Sequence, residues 1–150
     1  MPLSILELQH RGCVLSLFDE GVVNDEFNRI YSLKKTREPD CVVKLIEEYI
    51  VDADTIISEL SSLIDTPNVD VTKLGALARK LEEKSQRIGA EHMRAASADL
   101  IQAYGQIHKA NFSRALAGVS NEFIYTKMKF EYFLKLEQKI IGERGEGSQT

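Results

Sequence analysis

Three histidines, two cysteines and one charged helical stretch carry whatever chemistry this 150-residue chain offers. Glu7 and His10 stand in "ELQH", the Glu-x-x-His spacing from which helical bundles build di-iron sites. Such a site needs the motif twice, and neither His92 nor His108 has a glutamate three residues before it. One match alone is expected by chance. None of the histidines belongs to an evident triad. His92 follows Gly89 and reads as lying near a helix start. His108 reads as near a helix end, where a partly charged imidazole is mildly favoured. Cys13 and Cys41 show no metal-ligand spacing and read as free thiols. The chain has no glycine-rich phosphate loop and no H-E-x-x-H motif. The reading is of no catalytic residue, no metal and no cofactor.

The stretch "ALARKLEEKSQRIGAEH", residues 76–92, is strongly charged and helical in pattern. On a wheel at about 100° per residue with Leu77 at the origin, Leu81 and Leu74 fall within about 60° and define a core side. Arg79, Glu82, Glu83 and Gln86 fall on the far side, sharing a solvent-facing stripe in which Gly75 is also placed. A group at position 79 is therefore expected to stand exposed and open to a docking partner. Lys80, Lys84 and Arg87 form a basic edge, and Glu83 to Arg87 has the favourable i,i+4 direction for a helix pair.

The elements that must position this stretch are helical nearly throughout. Ser4 and Glu7 have the form of a capping box. The helix they open carries Ile5, Leu8, Leu15 and Phe18 and should stop near Gly21. "NDEFNRIYSLKK" follows as a shorter helix with Asn24 or Asp25 as cap, and "TREPD" breaks the chain at Pro39. Asp40 can cap a long helix to about Asp65 with Val42, Leu45, Ile46, Tyr49, Ala53, Ile56, Leu60 and Leu63 as its stripe. Asp70 can start the next, interrupted around Gly89. Met93, Ala96, Leu100, Tyr104 and Ile107 continue a stripe beyond it. Asn111 is expected to cap a last helix carrying Phe112, Leu116, Val119, Phe123, Phe130 and Leu134. This predicts an all-α fold, an antiparallel up-down four-helix bundle with two short N-terminal helices. The domain is placed at residues 1–142, with 143–150 as a flexible C-terminal tail.

The chain is 43% hydrophobic and 28% charged, as expected of one soluble globular domain. A net charge of −4 argues against a general nucleic-acid binder, which needs a basic field. No apolar run reaches the roughly 18 residues of a membrane span, and no secretory leader is evident. The expectation is a cytoplasmic protein that also reaches the nucleus by diffusion, a monomer with no nucleic-acid or membrane partner.

Three further segments carry a resemblance that covers nearly the whole chain. "LFDEGVVNDEFNRIYSL" at 17–33, "EPDCVVKLIEEYIVDADTII" at 38–57 and "NEFIYTKMKFEYFLKLEQKI" at 121–140, with its L-E-Q, occur in an order and spacing that is specific as a set. They resemble the plant histidine-containing phosphotransfer (HPt) proteins of the cytokinin phosphorelay. The active segment of that family reads about H-Q-L-K-G-S-S-S-S-I-G-A. Counted back from Ile88, Gly89 and Ala90, this chain has R-K-L-E-E-K-S-Q-R-I-G-A. Arg79 then holds the histidine's place, Lys80 the glutamine's, Glu82 the lysine's and Glu83 the glycine's.

The resemblance therefore implies a pseudo-phosphotransfer protein, from the branch of the family that lacks the histidine. Its partners would be receiver domains of hybrid sensor histidine kinases and response regulators. It would oppose cytokinin signalling by occupying them without passing phosphate, and would not be an enzyme. The expected contact residues are Arg79, Lys80, Glu82, Glu83 and Gln86, with exposed parts of the second helix near Phe27, Ile30 and Tyr31. Those last three read equally well as the core stripe of that helix. Two alternatives stand beside this reading. One is an active phosphotransfer intermediate using a non-standard histidine, and the other is a structural or adaptor bundle that binds no receiver.

Overall fold

The computed structural model describes residues 2–33, 38–105 and 109–148, with side chains described through residue 144. Lys34 to Arg37, Ile107 and His108, to which the sequence assigned places, lie outside the described residues.

Six helices follow one another: α1 (Leu3–Asp19), α2 (Asp25–Ser32), α3 (Cys41–Ile64), α4 (Val71–Ile88), α5 (Glu91–Gly105) and α6 (Lys109–Ser148). The described residues contain no strand, only a single antiparallel bridge between Val23 and Ala90. Helices α3 to α6 form a ring in which α3 packs on α4 and α6, and α5 on α4 and α6. The all-α bundle expected from the sequence is the fold observed. α1 lies along α6, and α2 sits against α4.

Local signals set most boundaries. The Asn24 side chain accepts a hydrogen bond from the Glu26 N–H at 3.0 Å and opens α2. Asp70 accepts from Lys73 N–H at 3.1 Å and opens α4. Gly89, at φ +77°, closes α4 in the left-handed region that glycine enters without strain. Other signals were overridden. α1 starts two residues earlier than a Ser4 cap allows, because the Pro2 carbonyl already accepts from Ile5 and Leu6 N–H groups. Ser4 is thus inside the helix. Asp40 precedes α3 but makes no side-chain cap; its carboxylate lies 3.3 Å from Lys44 Nζ. Asn111 lies within α6 rather than ahead of it, and α6 continues past Gly142 to Ser148 through most of the expected tail.

α1 also buries a different face from the expected one. Leu6, His10, Cys13 and Leu17 are buried, whereas Ile5, Leu8 and Leu15 are 44%, 64% and 56% exposed. Apolar residues lie almost all round this helix, so its own pattern does not choose. α6 chooses, because it offers Glu137 and Phe133 to His10.

The core is aromatic where α2 meets the bundle. The Phe27 ring stacks on Phe130 at 6.0 Å and meets Phe133 edge-on at 5.7 Å, while Tyr49 meets Phe130 at 6.1 Å. The Tyr49 hydroxyl is 2.7 Å from Ser85 Oγ, so both buried hydroxyls have a partner. A second tie joins the two sharp turns. Asn24 N–H donates to the Gly89 carbonyl and Glu91 N–H to the Val22 carbonyl, each at 2.9 Å. The Asn24 amide also donates to Glu91, whose carboxylate is held by Arg94 as well. Those bonds, chiefly the one from Arg94, pull the Glu91 carboxyl down to about 2.

Candidate docking site on the outer face of α4

The outer face of α4 carries Arg79, Lys80, Glu83 and Gln86 exposed, with Glu82 half-buried beside them. Gly75 departs from the expected stripe: it is buried, covered by the Tyr104 ring of α5. The same ring supports Arg79, whose guanidinium carbon stands 5.6 Å from the ring centroid. The wheel put Gly75 outside because it sees one helix only. A glycine at about 160° from Leu77 leaves a groove, and α5 fills it with Tyr104.

The basic edge is largely neutralised. Lys84 Nζ lies 3.0 Å from the Asp52 carboxylate of α3, and Arg87 pairs with Glu83 as its i,i+4 direction suggested. With Glu83 so engaged, Arg79 is left over the aromatic ring. Surface pairs of this kind contribute about 0.2–1 kcal/mol, so they shape the surface more than they hold the fold.

The second helix does not join this face as expected. Phe27 is 1% and Ile30 6% exposed, and both belong to the core, so neither is open to a partner. The short helix has only one apolar side, and the bundle end takes it. Tyr31 is half-buried, with its hydroxyl 3.4 Å from His10 Nε2. What α2 presents outward is Asp25, Asn28, Arg29 and Ser32.

Among the described residues, His10 and His92 do not gather into a reactive group. His10 is buried between α1 and α6, its Nε2 2.5 Å from the fully buried Glu137 carboxylate. The Glu7 carboxylate turns instead to Arg144 at 3.1 Å, so the Glu-x-x-His pair does not converge. His92 sits in the first turn of α5 with Nδ1 3.4 Å from a Glu122 carboxylate oxygen. Among the described residues no three His, Cys, Asp or Glu side chains are grouped to hold a metal ion. Sequence reasoning missed the pairing of His10 with Glu137. Nothing local to either residue signals it, since they are brought together by helices at opposite ends of the chain.

A scan against protein-family profiles gives no match. Individual proteins do match. Histidine-containing phosphotransfer protein 1 of Oryza sativa subsp. japonica is 27% identical over 140 residues, spanning 93% of this chain and 95% of that protein. Pseudo histidine-containing phosphotransfer protein 6 of Arabidopsis thaliana is 27% identical over 127 residues, spanning 84% and 82%. The crystal structure of a histidine-containing phosphotransfer protein from maize superposes with a TM-score of 0.86 at 32% identity, over 90% of this chain and 99% of that one. With sequence likeness and fold agreeing over nearly the full length of both chains, this protein belongs to the plant histidine-containing phosphotransfer family of two-component signalling.

Proposed function

We propose that this chain is a non-catalytic member of its family. It docks receiver domains of hybrid sensor histidine kinases and response regulators, and lowers phosphoryl flux, in cytokinin signalling, by competition. The observation that carries the reading is Arg79. It stands exposed at mid-α4, at the position that the "IGA" register assigns to the phosphorylated histidine. Phosphoryl relay needs a nitrogen lone pair that attacks an aspartyl phosphate and later releases the group. A guanidinium is protonated at every cellular pH and has none to offer. Glu83 adds bulk and charge where the family has glycine, and Glu82 puts an anion where the family has lysine. Both changes work against a bound phosphoryl group.

Neither His10 nor His92 is well placed to take over the role. His10 is buried against Glu137. His92 lies beyond Gly89, and the nine residues from Arg79 to the end of α4 alone span about 13 Å along the axis. Arg79 is free to meet a partner's carboxylates, the acidic pocket of a receiver among them. We place the protein in the cytoplasm and nucleus, where such partners would meet it; a fluorescent fusion tests that placement.

The deciding experiment is a reconstituted relay containing a kinase receiver, an active phosphotransfer protein and a response regulator. Flux to the regulator is expected to fall with the dose of this chain, which itself stays unlabelled. Label on this chain refutes the non-catalytic reading, and unchanged flux refutes the competition. Arg79→Ala is expected to weaken receiver binding by about 1 kcal/mol or more.

Repair supplies a second test. Arg79→His alone is expected to restore little transfer, and the further changes Glu82→Lys and Glu83→Gly to restore more. The glycine costs the helix about 1 kcal/mol, which this bundle can absorb. Full transfer by the single variant would show that the two glutamates do not oppose the chemistry.

A further inference from the structure

Gly75 occupies a helix interior, where glycine is less favourable than alanine by roughly 0.5–1 kcal/mol. The space around it shows what the missing methyl group makes room for. A Cβ at this position would meet Tyr104 Cζ at 2.8 Å and Cε1 at 2.9 Å, and Arg79 Nη1 at 3.1 Å. One absent side chain thus admits both the ring and the guanidinium. Arg79 is four residues on, and helical side chains lean back toward the N-terminus, which carries its head over Gly75. The ring then holds it by a cation–π contact at 5.6 Å.

α4 has two arginines, and they are held differently. Arg87 is matched by the Glu83 carboxylate. Arg79 lies on a ring that leaves it exposed, and among the described residues no carboxylate takes its N–H groups. A guanidinium already held in one place loses less side-chain freedom when a partner takes it. We propose that Gly75 and Tyr104 form a seat that orders the Arg79 guanidinium, and that a docking receiver is captured there through a carboxylate that accepts both N–H groups of the seated fork. The capture rests on the docking function proposed above; the seat itself does not. Gly75 and Tyr104 are positioning residues, acting on the partner through Arg79.

Two readouts separate the parts. In the free protein, nuclear magnetic resonance should show the Arg79 side-chain protons shifted upfield by the Tyr104 ring. Tyr104→Phe should keep that shift, while Tyr104→Leu and Gly75→Ala should abolish it. Unshifted protons in the wild type overturn the seat. The second readout is calorimetric titration with a purified receiver domain and Mg²⁺. Gly75→Ala and Tyr104→Leu should each weaken binding about fivefold, the share expected from ordering one long side chain. Tyr104→Phe should bind like the wild type. Arg79→Lys should weaken binding too, because an ammonium cannot fork onto a carboxylate. In an Arg79→Ala background, Gly75→Ala should change nothing further. An undiminished loss in that background means a distorted surface and overturns the proposal. Gly75→Ala raises helix propensity, and circular dichroism of each variant confirms that it is folded. A receiver that does not bind the wild-type chain refutes the docking function and the carboxylate capture with it, while the ring-current shift still decides the seat.

Discussion

Replacing Glu137 with alanine is expected to destabilise the protein by about 3 kcal/mol or more, from the buried polar partner it takes from His10 and the cavity it leaves. Glu137 is fully buried on α6, with one carboxylate oxygen 2.5 Å from His10 Nε2 on α1. The imidazole is enclosed by Phe133 at 5.2 Å and Tyr31 at 5.8 Å between ring centroids. Burial, and then the Glu137 charge, push the Tyr31 hydroxyl up to about 12, so the tyrosine stays protonated and polar in the same enclosure. Truncating Glu137 removes the carboxylate beside His10 and opens a cavity at the α1–α6 seam. Urea unfolding of the variant reads the cost directly. The partner experiment replaces both residues, His10→Leu with Glu137→Leu, and should recover most of the loss, since an apolar pair of similar volume leaves no buried polar group unpaired. A loss below about 1 kcal/mol in the single variant would mean that the pair contributes no more than a surface contact.

Gly89→Ala is expected to cost about 3 kcal/mol or more and to lower the melting temperature by about 10 °C. Two costs combine. The residue sits at φ +77°, a conformation that disfavours any side chain by about 1–2 kcal/mol. The added Cβ would also run into the Phe27 backbone nitrogen and lie 2.8 Å from Asn24 Oδ1 and 2.9 Å from Phe27 Cα. Those atoms are the first turn of α2 and its cap, so relief of the collision requires α2 to move. Movement would strain the 2.9 Å bond from Asn24 N–H to the Gly89 carbonyl. Gly89→Asn separates the contributions, because asparagine tolerates the left-handed conformation but still carries a Cβ. If asparagine is as damaging as alanine, the close approach of α2 dominates. If it is nearly harmless, the backbone angle does.

Gly89 also shows how far local reading reaches. Its place after a helical run marked the end of α4, and the structure agrees. The reason it cannot be replaced lies 62 residues earlier, in the Phe27 backbone. The candidate site divides the same way. The exposure of Arg79 follows from the period of α4, and its correspondence with the histidine follows from counting along one motif. That Arg79 rests on Tyr104 does not follow, because the two are on different helices. Phe27 and Ile30 were ambiguous for a related reason: an eight-residue helix with one apolar side is the same in sequence whether that side meets a core or a partner.

The sequence by itself determined the helices, the cap at Asp70, a cap at Asn24 or its neighbour Asp25, the stop at Gly89, the face of α4 that carries Arg79 and the family likeness. Each depends on hydrogen bonds and periodicity among near neighbours, or on motif order along the chain. Only the tertiary structure decided that α1 buries His10 instead of Leu8, that Glu137 is interior, and that Gly75 lies under a ring. A helix with apolar residues on several sides has no preferred face until another helix supplies a matching surface. For α1 that surface is α6, and the match is made by a carboxylate 127 positions away from the histidine it holds.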